Sequence, residues 1–232
     1  MDFDRFEILT FDCYGTLVDW EAGILAAIRP VLRAHALTLS DDAVLALYAE
    51  IEPSVQAAEF LPYAEVLRRV MDGMGERLRF RPTPHERNAL VDSIGDWPAF
   101  PDTPAALALL KRRYKLYVLS NVDNDLFART APHLGVTLDG VITAQQVRSY
   151  KPAPGHFKAL LQQTGAAKEQ VLHVAQSLFH DIVPARQLGF ATVWVQRRAS
   201  GGGATPPAEA SPDLVVADLA ELARLVAMGL AP

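Results

Sequence analysis

The 232-residue chain has a single cysteine, Cys13, so it can form no internal disulfide and no multi-cysteine zinc or iron–sulfur site. Long apolar runs are also missing, and no uncharged stretch approaches the ~18 residues that suggest a membrane span. The first residues, Met1-Asp2-Phe3-Asp4-Arg5, are acidic where a secretory leader carries a basic end and an apolar run. The expectation is a cytoplasmic protein with no membrane partner. Positive charge is in deficit: 22 Lys and Arg against 27 Asp and Glu leave a net charge of −5, which gives no global footprint for nucleic acid. The few aromatics do not interleave with a basic patch, so single strands have no stacking platform. No GxxxxGK[ST] loop, GxSxG elbow or HExxH helix is present. Half of the residues are hydrophobic and 21% are charged, the balance of a chain that buries a core. The length suits one domain with a smaller partner.

Short β-rich apolar runs alternate with helical patterns, the signature of a parallel sheet covered by helices. The runs are Phe6–Cys13, Lys115–Asn121, Gly140–Ala144, Val171–Gln176, Ala191–Gln196 and Leu214–Asp218. Thr103, followed by Pro104, reads as an N-cap opening a helix through Arg113. Pro154–Gln163, Asp181–Leu188 and Leu219–Met228 supply further helices.

The stretch from about Glu21 to Trp97 contains no convincing strand. Val44, Leu47, Tyr48 and Ile51 share one helical face after the caps Ser40 and Asp41; Val66, Leu67 and Val70 follow Pro62, and a third segment follows Pro84. The expected architecture is therefore α/β: a Rossmann-like parallel core, 1–20 and 98–232, with a helical cap, 21–97, inserted after the first strand. Turn residues near Gly15 and the prolines of Trp97–Pro101 mark two hinges, so the cap is expected to move. Ala199–Pro212 reads as a Gly/Pro-rich surface loop.

Open parallel sheets bind ligands beyond the carboxyl ends of their strands. The polar residues there are Asp12 with Tyr14 and Thr16, then Ser120 and Asn121, then Lys151, then Gln176, Ser177, His180 and Asp181. A carboxylate, a hydroxyl with an amide, an ammonium and a second carboxylate can converge on one crevice. Their occurrence in this order outweighs the blander reading of each as a turn or cap residue.

Phe11-Asp12-Cys13-Tyr14-Gly15-Thr16-Leu17-Val18-Asp19 resembles the first motif of the haloacid dehalogenase superfamily. Leu119-Ser120-Asn121 is similar to its second, Tyr150-Lys151-Pro152 to its third, and Val174–Asp181 to its fourth. The resemblance covers the whole core and places the helical insertion where that superfamily has its cap. It implies that Asp12 is a nucleophile forming a covalent intermediate, with Lys151 keeping it ionised.

Phosphatases of the superfamily carry an aspartate two positions after the nucleophile as general acid, and hold Mg²⁺ with an acidic residue of the fourth motif. Here those positions are Tyr14, whose phenol titrates near ~10, and Gln176, a neutral amide. Mg²⁺ prefers charged oxygen ligands. The resemblance narrows instead to the (S)-2-haloacid dehalogenases, which use neither metal nor cofactor. It implies that Asp12 attacks C2 of a small carboxylic acid, and that water hydrolyses the aspartyl ester to give a hydroxy acid. Thr16 would orient Asp12, and Asp181 would anchor Lys151 or position the water. Ser120, Asn121 and the main-chain amides of Cys13 and Tyr14 would receive the substrate carboxylate. His180 is a candidate base for ester hydrolysis, or equally a hydrogen-bonded histidine at a helix start. Trp20 and Phe60 stand either as apolar walls of the pocket, with Gln176 and Ser177 at its rim, or as packing.

The chain also departs from that pattern. An arginine early in the dehalogenase cap aligns near Ala49, with Arg29 and Arg33 as substitutes. Phe157 stands for a third-motif tyrosine, and Leu178 for an asparagine. These changes open the choice of leaving group. A ring-opening hydrolase of the azetidine-2-carboxylate type, a magnesium-dependent small-molecule phosphatase and a non-catalytic binding protein follow as alternatives. The resemblance also leaves room for a homodimer.

Overall fold

The computed structural model describes residues 1–57, 59–198 and 204–228. Six parallel strands form its sheet: β1 (Ile8–Phe11), β2 (Lys115–Ser120), β3 (Gly140–Thr143), β4 (Val171–Ala175), β5 (Ala191–Val195) and β6 (Leu214–Val216). Their order is β3-β2-β1-β4-β5-β6, the doubly wound arrangement whose direction of travel reverses beside β1. All six expected runs are strands; each ends one or two residues before its apolar run does, and β1 also starts two residues later.

Residue alternation along the strands divides the core. Leu9, Phe11, Leu116, Val118, Leu172 and Val174 face one layer, while Ile8, Tyr117, Leu119 and Val171 face the other. Helices α9 (Gly155–Thr164) and α10 (Val183–Leu188) cover the second layer through Phe157, Leu160 and Ala185. On the first lie α6 (Thr103–Lys111) and α11 (Leu219–Met228), supplying Leu107, Leu110, Leu222 and Val226. Burial on both faces explains why the strands read as near-continuous apolar runs. Two short helices, α7 (Asn124–Thr130) and α8 (Ala144–Val147), follow β2 and β3.

Between β1 and α6 the chain is helical: α1 (Trp20–Ala34), α2 (Asp41–Gln56), α3 (Tyr63–Leu78), α4 (Pro84–Arg87) and α5 (Ala89–Ser93). Ser40 caps α2, its hydroxyl accepting from Ala43 N at 3.3 Å. Val44, Tyr48, Ile51, Val66, Leu67 and Val70 are buried on the faces that periodicity assigns them. The chain passes in and out of this insertion along adjacent paths. Asp19 N donates to Pro98 O at 2.8 Å and Phe100 N to Leu17 O at 3.0 Å. Gly23 on α1 lies against Trp97, where a Cβ would sit 2.2 Å from the indole, so only glycine permits the approach.

Two expectations are corrected. Thr103 is the first helical residue of α6 rather than its cap, because its hydroxyl donates to Leu17 O at 2.9 Å. The helix expected over Asp181–Leu188 begins instead as a π-turn, Leu178–Ile182, and becomes α-helical at Val183. Of the Ala199–Pro212 segment, residues 199–203 lie outside the described residues, and 204–212 carry neither helix nor strand.

Candidate active site

Asp12 leaves the C-terminal end of β1 at the reversal point of the sheet, and its side chain is buried. Cys13 O behind it accepts from the N–H groups of Thr16, Leu17 and Val18, curling the chain into a loop through Gly15, whose φ of +95° favours glycine. That curl returns Thr16 beneath Asp12. Its hydroxyl donates to Asp12 Oδ2 at 2.8 Å and accepts from Gln176 N, just past β4, at 2.9 Å.

Lys151 is 1% exposed, and each of its three ammonium hydrogens has a partner. Nζ donates to Asp12 Oδ1 at 2.8 Å, Asp181 Oδ1 at 2.7 Å and Leu119 O at 2.8 Å. Asn121 holds the lysine main chain from both sides, accepting from Lys151 N at 2.7 Å and donating to Lys151 O at 3.1 Å. Its amide thus places Lys151, and the residue also borders the cavity. Ser120 is different: its hydroxyl is buried at the cavity wall without a partner among the described residues. The N–H groups of Cys13 and Tyr14 likewise make no hydrogen bond among the described residues.

Asp181 sits in the π-turn. Ser177 opens that turn by accepting from His180 N at 2.9 Å, and its hydroxyl also contacts His180 Nδ1 at 3.1 Å. A π-turn changes where successive side chains point, and such turns recur at functional sites. Behind Asp181, His173 Nε2 lies 3.0 Å from Asp181 Oδ1, and its Nδ1 is 2.8 Å from Thr10 Oγ1. His173 is buried against Phe157, the rings 4.9 Å apart. Thr10, His173, Asp181, Lys151, Asp12 and Thr16 therefore form one buried chain of hydrogen bonds.

Two carboxylates share one ammonium, and their proton affinities split. Burial opposes the charge on Asp181, yet Lys151 and His173 hold it well below the ordinary carboxylate range. Asp12 moves the other way: burial, with the charge of Asp181, outweighs the ammonium and Thr16 and raises it. The expected lowering of Asp12 by Lys151 is present only as an opposing contribution. Burial works against the Lys151 ammonium, but the two carboxylates raise its proton affinity overall. His180 is pushed down to about 4, chiefly by burial, and is neutral at pH 7.

Asp12, Lys151, Asp181, Ser120, Asn121, Ser177 and His180 border a cavity of about 40 Å³ together with Tyr14, Trp20, Val122 and, from the helical insertion, Glu52 and Tyr63. The Tyr14 phenol bonds Thr130 Oγ1 at 2.8 Å. Gln176 is half-buried, and its side-chain oxygen lies beside Gly15, outside the cavity wall. Phe60 is a correction: it packs on Tyr150 at 5.4 Å beneath the Arg148 guanidinium and does not border the cavity, which Trp20 does. The proposed arginine substitutes are elsewhere too. Arg29 pairs with Asp41 on the surface, and Arg33 is exposed. Of the residues on α2, Glu52, one turn beyond Ala49, faces the cavity.

Sequence reasoning missed Glu52, His173 and Asp123. Asp123 follows β2 and caps α3 from outside that helix, its carboxylate accepting from Tyr63 N and Ala64 N, each at 2.9 Å. A carboxyl within an amphipathic helix gives no sequence signal for Glu52. His173 lies inside an apolar strand run, where a polar residue is itself the available signal.

Fold and site together define an α/β enzyme with a buried, lysine-paired aspartate at the sheet's switch point. The chain belongs to the haloacid dehalogenase-like hydrolase family, which matches residues 6–189, and is a hydrolase of that family. It is 26% identical over 208 residues to the (S)-2-haloacid dehalogenase 4A of Burkholderia cepacia, covering 85% of this chain and 86% of that protein. It is also 33% identical over 129 residues to the phosphoserine phosphatase of Thermus thermophilus, covering 54% and 50%. The L-2-haloacid dehalogenase of Xanthobacter autotrophicus, solved with chloropropionic acid covalently bound, shares its fold. The TM-score is 0.81 at 21% identity, covering 97% of this chain and all of that one.

Proposed function

We propose that the protein displaces a leaving group from C2 of a small carboxylic acid without a metal, as a 2-haloacid dehalogenase does. The observation that carries this reading is the Lys151 ammonium bonded to both Asp12 and Asp181. In the first step an Asp12 oxygen bonds to C2 from the face opposite the leaving group, which departs with its electron pair. In the second, water adds to the Asp12 carboxyl carbon and the acyl–oxygen bond to the substrate breaks. Asp12, a 2-hydroxy acid and one proton result. Burial favours the attack, because a carboxylate stripped of water and held by fixed dipoles is a better nucleophile than a hydrated one. Ser120 Oγ and the N–H groups of Cys13 and Tyr14 are donors suited to the substrate carboxylate. His180, neutral and facing the cavity, is suited to take the water proton.

Magnesium-dependent phosphoryl transfer, the other chemistry of this family, suits these residues poorly. Asp12 and Asp181 each give an oxygen to Lys151, position 14 is a phenol bonded to Thr130, and position 176 is an amide. Among the described residues no group of three His, Cys, Asp or Glu side chains is placed to hold a metal ion. The division into a reacting core, 1–20 and 98–232, and a selecting cap, 21–97, is part of the proposal.

Incubation with (S)-2-chloropropionate in excess chelator tests this. Release of chloride, abolished in Asp12→Asn, is the expected outcome. Chloride release that requires Mg²⁺, or hydrolysis of p-nitrophenyl phosphate in its place, would overturn the reading.

A further inference from the structure

Glu52 is 4% exposed, and its Oε1 accepts from Tyr63 Oη at 3.1 Å and from Gln56 Nε2 at 2.6 Å. Its other oxygen, Oε2, has no hydrogen-bond partner among the described residues, and the residue borders the same cavity as Asp12. The Glu52 carboxyl is therefore presented to whatever occupies that cavity. Tyr63 is fixed in turn by Tyr48, their hydroxyls 3.0 Å apart, and its main chain is held by Asp123. The carboxyl thus stands on an ordered support rather than on a mobile surface.

Charge in the cavity is unbalanced. Among the described residues its wall carries three carboxyl groups, Asp12, Glu52 and Asp181, against one cation, Lys151, whose N–H groups all have partners. A small acid with no other charge would add a further negative charge to a space with no free cation. Burying such an excess is costly. A substrate that also carries a protonated nitrogen removes the conflict. The remaining wall suits one: Tyr14, Trp20 and Tyr63 border the cavity, and aromatic side chains attract cations.

Resting on the proposed displacement at C2, we propose that Glu52 binds an ammonium group of the substrate, so that the preferred substrates are small zwitterionic acids rather than simple haloacids. Glu52 is on this account a specificity-determining residue, selecting by charge from the helical insertion while Asp12 reacts from the core.

The test uses a matched pair of reaction products, 2-hydroxybutanoate and 4-amino-2-hydroxybutanoate, which differ by one ammonium. Binding of each to the wild-type protein is measured calorimetrically at pH 8. The expected result is at least about tenfold tighter binding of the amino acid, a preference that falls towards unity in Glu52→Gln. Equal affinity, or a preference for the acid without the ammonium, would overturn the role of Glu52 in the wild-type protein alone, whether or not the variant folds. Chloride release from (S)-2-chloropropionate is followed in parallel. Its absence would overturn displacement of halide from C2, while equal binding of the pair beside retained chloride release would overturn only the assignment of Glu52.

Discussion

Lys151 has three hydrogens and three acceptors, two of them carboxylates, so its position is overdetermined and its charge is shared. The excess negative charge of the cluster falls on Asp12, whose proton affinity rises while that of Asp181 falls. A carboxylate that is costly to bury gains most by bonding to carbon, and that links the burial of Asp12 to its proposed role. Glu52 is a second buried carboxyl, raised by burial from 4.5 to about 7 against the pull of Tyr63 and Gln56. An acid whose proton is held more tightly in the folded state loses stability as pH rises from its unfolded to its folded value. The penalty is absent below about pH 4.5 and complete above about 7, and 2.5 pH units correspond to roughly 3 kcal/mol. Glu52→Gln is therefore expected to be more stable than the wild type by about 2–3 kcal/mol at pH 8. The gap should close towards pH 5, as measured by urea unfolding at both values. A difference independent of pH would show that Glu52 does not titrate in this way.

At the scale of elements, the helical insertion is tied to the core by side chains that cap or hold its main chain. Helix α3 begins after Pro62 with no cap of its own, and Asp123 of the core supplies one to Tyr63 N and Ala64 N. Tyr150, beside Lys151, donates to Leu61 O at 2.7 Å, just before the same helix. Asp123→Ala leaves two helix-end N–H groups without acceptors and is expected to cost about 1–2 kcal/mol. Because α3 also carries Tyr63, which holds Glu52, the same variant should raise KM more than it lowers kcat. A full loss of stability with unchanged KM would confine Asp123 to a structural role.

These ties also explain what could be read in advance. Asp12, Thr16, Ser177, His180 and Asp181 lie within a few residues of a strand end, and apolar runs reveal strand ends. Asp123 meets α3 across some 60 positions in the chain, and Glu52 reaches the cavity only because α2 packs on α3. No local spacing encodes either contact. Phe60 differs from expectation for the same reason: its position shows it to be aromatic and near the insertion's inner side, but not that it packs on Tyr150 and Arg148. Asn121 stands at the expected strand end and borders the cavity, but the bonds of its amide to the main chain of Lys151 are not encoded locally.

For the whole molecule, the strand order decides where chemistry occurs. The chain leaves β1 towards β2 on one side and meets β4 on the other, so Asp12 and the Ser177–Asp181 segment open onto one crevice. Helices α2 and α3 close it to a cavity of about 40 Å³. We expect substrate entry into so small a space to involve the insertion swinging away, with the paired crossings at 17–19 and 98–100 as its pivot. The central claim is that the oxygen delivered to the product comes from Asp12 and that water repairs the side chain afterwards. Single turnover of (S)-2-chloropropionate in H₂¹⁸O, with protein in excess, tests it most directly. The account predicts an unlabelled hydroxy acid and a gain of 2 Da on the peptide containing Asp12; ¹⁸O in the product hydroxyl with an unlabelled Asp12 would contradict it.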